Sequence, residues 1–214
     1  MRYELKYKIE DLSLNVVLQA LRLHPAALRQ IYPTRQINNI YFDTPNLMAY
    51  QDNVIGVANR KKFRVRWYNN TPNEVVKPLL EIKIKQNQLG TKEIQPIANF
   101  SNAADRKQIA LLTKQVNQLC GLHTLQPVLL NSYVRSYFGT ADRKFRITID
   151  QQLRYFSFFK ARHFSSRYHA ADNAVVLELK YEKELDEMTD RITQFLPFRQ
   201  TKSSKYVTGV QLTK

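Results

Sequence analysis

Residues 80–85 read LEIKIK, and that strict alternation limits what the segment can become. A period of two puts Glu81, Lys83 and Lys85 on one face of an extended strand, with Leu80, Ile82 and Ile84 on the other. A helix would scatter both sets around its surface. The pattern recurs in RYELKYKI (2–9), RKKFRVRWY (60–68), KFRITID (144–150) and VLELKY (176–181). β-Branched and aromatic residues fill the apolar positions, as half-buried strands favour. NNIYFDT (38–44), TKEIQPI (91–97), NSYVRSYFG (131–139), QLRYFSFFK (152–160) and KYVTGVQL (205–212) are weaker strand candidates.

Helical spacing is found in three places. The first is residues 13–22, opening at Ser13 as N-cap and continuing toward residue 30. The second is 102–119, with Ile109, Leu112, Val116 and Leu119. The third is 182–196, with Leu185, Met188, Ile192 and Leu196. The polar stretches 69–78 and 161–174 read as loops. Ten strands, three helices and short connections predict a sheet-dominated α+β protein with antiparallel pairing. At 214 residues, one domain spanning the chain is expected.

An ordinary sheet with one wet face accounts for any single strand. The set asks for more, because its polar faces are nearly all Arg, Lys and Glu. Glu also recurs beside Lys on one face, as Glu4 with Lys6, Glu81 with Lys83, and Glu178 with Lys180. Faces of this kind suit a closed barrel with its apolar side under helices and its charged side lining a lumen. Burying bare ions costs several kcal/mol each, so such a lumen stays wet, pairs its charges or holds an anion. The chain carries 33 Lys and Arg against 18 Asp and Glu, a net charge of +15, which points to an anionic partner. Arg offers phosphate a planar fork and Lys a compact point charge. With only 5 Gly, a glycine-rich phosphate loop is disfavoured. Carboxylates in the same lumen would repel phosphate unless a divalent cation, Mg²⁺ or Mn²⁺, bridges them.

Other classes find less support. No apolar run approaches the roughly 20 residues of a membrane span. The amino-terminal segment has no apolar signal core, so a cytoplasmic location is expected. One cysteine, Cys120, excludes an intramolecular disulfide and reads as a core residue at a helix end. His24, His123, His163 and His169 show no ligand spacing. A nucleic-acid module would fit the charge, but base stacking needs aromatics on the basic face. Here most of the strand aromatics fall on the opposite one.

Eight stretches follow one another along the chain: RYELKY (2–7), NNIYFDTPNLMAY (38–50), RKKFRVRWY, LEIKIK, YVRSYFG (133–139), FRITID (145–150), LELKY (177–181) and SKYVTG (204–209). In these motifs and their order the chain resembles the polyphosphate polymerase domain of the vacuolar transporter chaperone (VTC) family, within the CYTH-like triphosphate tunnel metalloenzymes. The resemblance implies an antiparallel closed β-barrel, a triphosphate tunnel with a charged lumen and helices packed outside. It implies a metal-dependent transfer of the γ-phosphate of ATP to growing polyphosphate.

By motif position, Lys6, Arg64, Arg66, Lys83, Arg135, Arg146 and Lys205 match the family's phosphate-handling residues. Lys62, Lys92, Lys180, Ser204 and Tyr206 are further substrate-binding candidates. Glu178 matches the metal-binding glutamate, with Glu4 and Glu81 beside it as candidates for Mn²⁺ or Mg²⁺. The implied partners are ATP and polyphosphate, not nucleic acid, with a membrane protein as a further candidate.

Eukaryotic relatives add an SPX domain and membrane spans, neither of which appears in this sequence. A bare domain of this kind points to a bacterial member. CYTH-type triphosphatases open with Glu-x-Glu-x-Lys, whereas this chain has Arg2-Tyr3-Glu4-Leu5-Lys6. That departure favours the polymerase over a triphosphatase on the same fold. A polyphosphate-binding domain without catalysis is the remaining alternative.

Overall fold

The computed structural model describes residues 2–70, 75–86, 89–98, 100, 103, 105–158 and 169–214. Among these, nine strands form an antiparallel, sheet-dominated α+β fold. They are β1 (Arg2–Ile9), β2 (Arg29–Asp43), β3 (Asn59–Trp67), β4 (Leu79–Gln86), β5 (Leu89–Pro96), β6 (Gln126–Gly139), β7 (Arg146–Ser157), β8 (Ala170–Asp172) and β9 (Val175–Glu182). The α-helices are α1 (Leu14–Arg22), α2 (Met48–Ile55), α3 (Arg106–Cys120), α4 (Asp190–Thr193) and α5 (Lys205–Thr213), with a 3-10 turn at Lys183–Met188.

The chain divides into two compact units. The first comprises Met1–Arg35, Val134–Leu153 and Asp172–Ser203; the second comprises Gln36–Tyr133, Arg154–Ala171 and Ser204–Lys214. In the first, β1 pairs with β9 and β9 with β7. Leu5 lies opposite Leu179, and Lys6 opposite Glu178, which faces Thr148 in turn. One side of this ladder is apolar. Tyr7, Ile147, Ile149, Leu177 and Leu179 pack there with Val17 and Leu21 of α1 and with Ile192 and Leu196.

In the second unit β2, β3, β4 and β5 form an antiparallel meander. Its apolar side gathers Ile40, Phe42, Val65, Trp67, Leu80 and Ile82 against Ile109, Leu112 and Val116 of α3. Helix α3 starts where Asp105 accepts the backbone N–H groups of Lys107 and Gln108, and it ends at Gly121 with φ +62°. The alternation in LEIKIK is thus resolved within its own unit: Leu80 and Ile82 face the helix-covered core, and Glu81 lies on the charged side.

Several boundaries differ from the sequence expectation. Helix α1 ends at Arg22 instead of continuing toward residue 30, with Pro25 just beyond it and β2 beginning at Arg29. Ser13 occupies the N-cap position without a side-chain cap bond. The expected strands 144–150 and 152–160 are joined in one strand, β7, over Arg146–Ser157, whose Gln152 takes φ +54°, and residues 159–160 lie outside the described residues. KYVTGVQL, read as a strand, is helix α5. Ser204 caps it, and Tyr206, Gly209, Val210 and Thr213 form its buried face at helical spacing. Within 182–196 the first turns are 3-10. Helix α2 was not anticipated. In the two expected loops, residues 71–74 and 161–168 lie outside the described residues, and 170–172 form β8.

Candidate phosphate-binding site

In the first unit the charged side of the β1–β9–β7 ladder carries two cross-strand rows. One runs Lys6, Glu178, Thr148 and the other Glu4, Lys180, Arg146. The Lys6 ammonium lies 3.1 Å from Glu4 and 3.7 Å from Glu178, and donates to the Ser203 carbonyl at 2.9 Å. Glu178 is buried and also takes Lys180 at 2.7 Å and Arg135 at 3.4 Å. Arg135, from the second half of β6, forms a two-pronged pair with the buried Asp150, Nε to Oδ1 at 2.5 Å and Nη2 to Oδ2 at 2.6 Å. Burial lowers the pKa of Lys180, against the opposing pull of Glu178. Arg146 is exposed at the end of its row.

In the second unit β3, β4 and β5 align Lys62, Lys83 and Lys92 in one cross-strand row, beside the row of Arg64 and Glu81. Glu81 is 3% exposed, and both its oxygens are engaged. Oε2 meets Arg64 at 2.6 Å and Arg66 at 3.7 Å, while Oε1 meets Lys92 at 2.9 Å. Burial alone would raise this carboxyl's pKa, but the charges of Arg64, Arg66 and Lys92 hold it well below the usual carboxylate range. In Arg64, burial works against the proton and the Glu81 charge outweighs it.

Arg66 is further fixed by Asn39 Oδ1 at 2.8 Å and the Tyr133 hydroxyl at 3.2 Å. The Asn39 amide in turn donates to Asn131 at 2.8 Å. Lys205 places its ammonium 5.1 Å from the centre of the Tyr133 ring. Ser204 accepts from Lys62 at 2.9 Å. Tyr206, a substrate-binding candidate from the sequence, is 1% exposed, and its hydroxyl donates to Asp43 at 2.6 Å.

The structure therefore groups Glu4, Lys6, Arg135, Glu178 and Lys180 in one unit. It groups Lys62, Arg64, Arg66, Glu81, Lys83, Lys92, Ser204 and Lys205 in the other. Sequence reasoning missed Asn39, Tyr133 and Asp150 as members of these clusters. Their signal was available, because each sits on the charged phase of an alternating strand.

The carboxylates differ in what they could hold. Glu81 is ringed by cations, which suits a counter-ion. Glu4 and Glu178 both approach one ammonium, so two oxygen donors already gather about a positive charge. Such a pair fits Mg²⁺ or Mn²⁺, which commonly takes one or two carboxylates and completes its shell from phosphate and water. Among the described residues, no group of three or more His, Cys, Asp or Glu gathers at metal-binding distance.

The model of the VTC domain family matches residues 1–214. The chain belongs to the VTC domain family. No curated protein matches this VTC domain. Among solved structures it is similar to a Vibrio parahaemolyticus protein provisionally assigned as an adenylate cyclase. That match has a TM-score of 0.55 and 12% identity, over 96% of this chain and 97% of that one. A Bacillus halodurans protein with the same provisional assignment gives 0.55 and 10%, over 95% of both chains. A Hippeastrum protein, described as an adenylyl cyclase candidate with a dominant triphosphatase activity, gives 0.52 and 14%, over 99% of this chain and 96% of that one. At these identities the likeness is one of fold. No helix among the described residues of the VTC domain is long and apolar enough to cross a membrane.

Proposed function

We propose that this VTC domain is a metal-dependent polyphosphate polymerase whose charged strand faces line a closed triphosphate tunnel. It would take ATP as donor and polyphosphate as acceptor. The observation that carries the reading is the charged side of each ladder, where Arg and Lys stand in cross-strand rows held by buried carboxylates. Phosphoryl transfer asks a protein for positioning and charge neutralisation more than for a covalent nucleophile. Side chains already fixed by ion pairs supply both without reorganising at the moment of reaction.

In this reading Arg64 and Arg66 offer phosphate the N–H groups that Glu81, Asn39 and Tyr133 leave over, and Lys62, Lys83, Lys92 and Lys205 neutralise the remaining charge. Lys6, Arg135, Lys180 and Arg146 do the same in the first unit. Glu178 and Glu4 are the residues that would hold Mn²⁺ or Mg²⁺. That ion supplies Lewis-acid neutralisation of phosphate charge when bound. An oxygen of the terminal phosphate of the chain attacks the γ-phosphorus. A new P–O bond forms as the β–γ bridging P–O bond breaks, and ADP leaves with the bonding electrons.

A second reading is a triphosphatase, with water as acceptor in the same transfer. The structural similarity to the Hippeastrum protein favours it. Purified protein is incubated with ATP and Mn²⁺, with and without a short polyphosphate primer. Products are resolved on a polyphosphate-stained gel and assayed for free phosphate. Long chains with ADP are the expected result. Free phosphate without chains would establish the triphosphatase. Neither product, with tight polyphosphate binding, would leave a binding domain. Tighter, salt-sensitive binding of single-stranded nucleic acid than of polyphosphate would overturn the phosphate reading altogether.

A further inference from the structure

Asp43 closes β2 as a carboxylate that is 1% exposed. Its Oδ1 accepts the backbone N–H groups of Thr44 at 2.7 Å and Ala49 at 2.9 Å. Its Oδ2 accepts that of Tyr50 at 3.0 Å. Two of these donors belong to the first turn of α2, where free N–H groups favour a negative charge. A further donor comes from 163 residues away, the Tyr206 hydroxyl at 2.6 Å. Tyr206 also stacks on Tyr41, with ring centres 5.0 Å apart and planes at 25°. Burial, reinforced by the Asp43 charge, raises the Tyr206 pKa well above the usual phenol range, so the hydroxyl stays a donor.

Tyr206 stands in the first turn of α5, immediately after Ser204 and Lys205. Those two neighbours reach Lys62 and the Tyr133 ring, respectively. Further along, the backbone of Gly209 lies against Leu129 and Tyr155, so closely that an added Cβ would meet Tyr155 Cδ1 at 2.5 Å. The helix thus has a backbone seat at Gly209 and a side-chain tether at Tyr206. The tether sits at the end that carries Ser204 and Lys205.

We infer that Asp43 is a positioning residue for Lys205 and Ser204, acting through the hydroxyl of Tyr206. The inference rests on the reading of those two residues as phosphate contacts. Asp43 does not meet phosphate itself, and Tyr206 serves as the link and not as a ligand.

The test is a double-mutant cycle on affinity for inorganic tripolyphosphate, read by calorimetry at fixed salt. Tyr206→Phe removes one oxygen and keeps the stack on Tyr41. Tyr206→Phe and Lys205→Ala should each weaken binding by about fivefold or more, and the double variant should lose clearly less than the product of the two losses, because the part of the Tyr206 effect carried by Lys205 is already gone. Asp43→Asn, of nearly the same volume, should show the same non-additivity and provides a second route if Tyr206→Phe folds poorly. Losses that multiply in both double variants would overturn the inference and leave the polymerase reading intact. A wild-type protein that binds no tripolyphosphate would remove the phosphate reading and the inference together.

Discussion

Arg64 and Glu81 lie directly opposite each other on β3 and β4, and the guanidinium clasps one carboxylate oxygen with Nε at 2.7 Å and Nη2 at 2.6 Å. Lys92 occupies the other oxygen. Three cations thus share one buried counter-ion, and removing it leaves them facing one another. Glu81→Gln should lower stability by about 3 kcal/mol, the range seen when one partner of a buried pair is lost. Urea unfolding measures this. An anion in the same place would take over the counter-ion role. Tripolyphosphate should therefore raise the melting temperature of the variant more than that of the wild type. Equal shifts would mean that the three cations do not form a common anion site.

The same carboxylate sets an acid limit. Its folded pKa lies well below its unfolded value, so the stability it contributes is fully present above the unfolded value of about 4.3. That contribution is lost as the pH falls below this value toward the folded pKa. The urea midpoint of the wild type should drop steeply below about pH 4.3, and the curve for Glu81→Gln should be shallower over the same interval. Parallel curves would assign the acid limb to other groups.

Much of this arrangement was legible because a period of two survives folding intact. Where Glu81 and Leu80 must point to opposite sides, the sequence leaves little choice, and all five alternating segments form or join strands. Pairing was partly legible too. Glu4 meets Lys6 and Glu178 meets Lys180, as their spacing suggests, but Glu81 draws Arg64, Arg66 and Lys92, whose approach depends on the register of three strands. Helix α5 was misread because Val207, Thr208 and Val210 carry strand propensity. Packing of Tyr206, Gly209, Val210 and Thr213 at helical spacing overrides it. The tie between Asp43 and Tyr206 spans 163 residues, and no local pattern encodes it.

Gly209 offers a test of that override. An added methyl group would run into Leu129 Cδ2 and approach Tyr155 Cδ1 at 2.5 Å, and both neighbours are fully buried. Neither can swing away into solvent, so helix α5 or strands β6 and β7 must move. Gly209→Ala should destabilise by about 1–3 kcal/mol, despite the better helix propensity of alanine. It should also weaken tripolyphosphate binding, because Lys205 travels with the helix. Denaturant unfolding and calorimetry check the two effects separately. A stabilised Gly209→Ala protein would show that the seat is looser than the contacts indicate.

Glu178 lies opposite Lys6 on the β1–β9 ladder and also receives Lys180 and Arg135. Glu178→Gln keeps the volume and removes the charge. Arg135 retains its two-pronged pair with Asp150, and Lys6 retains Glu4. The variant should therefore fold, with a stability loss of about 1–2 kcal/mol. Its Mn²⁺-dependent turnover should fall by about 100-fold or more, because the ion's several kcal/mol of charge stabilisation go with its main ligand. Binding of tripolyphosphate without metal should hold or tighten, since a repelling carboxylate has gone. Circular dichroism, turnover across a Mn²⁺ titration and metal-free calorimetry separate the three effects. Full Mn²⁺-dependent activity in Glu178→Gln would take the metal role from Glu178 and leave it as the counter-ion of Lys180 and Arg135.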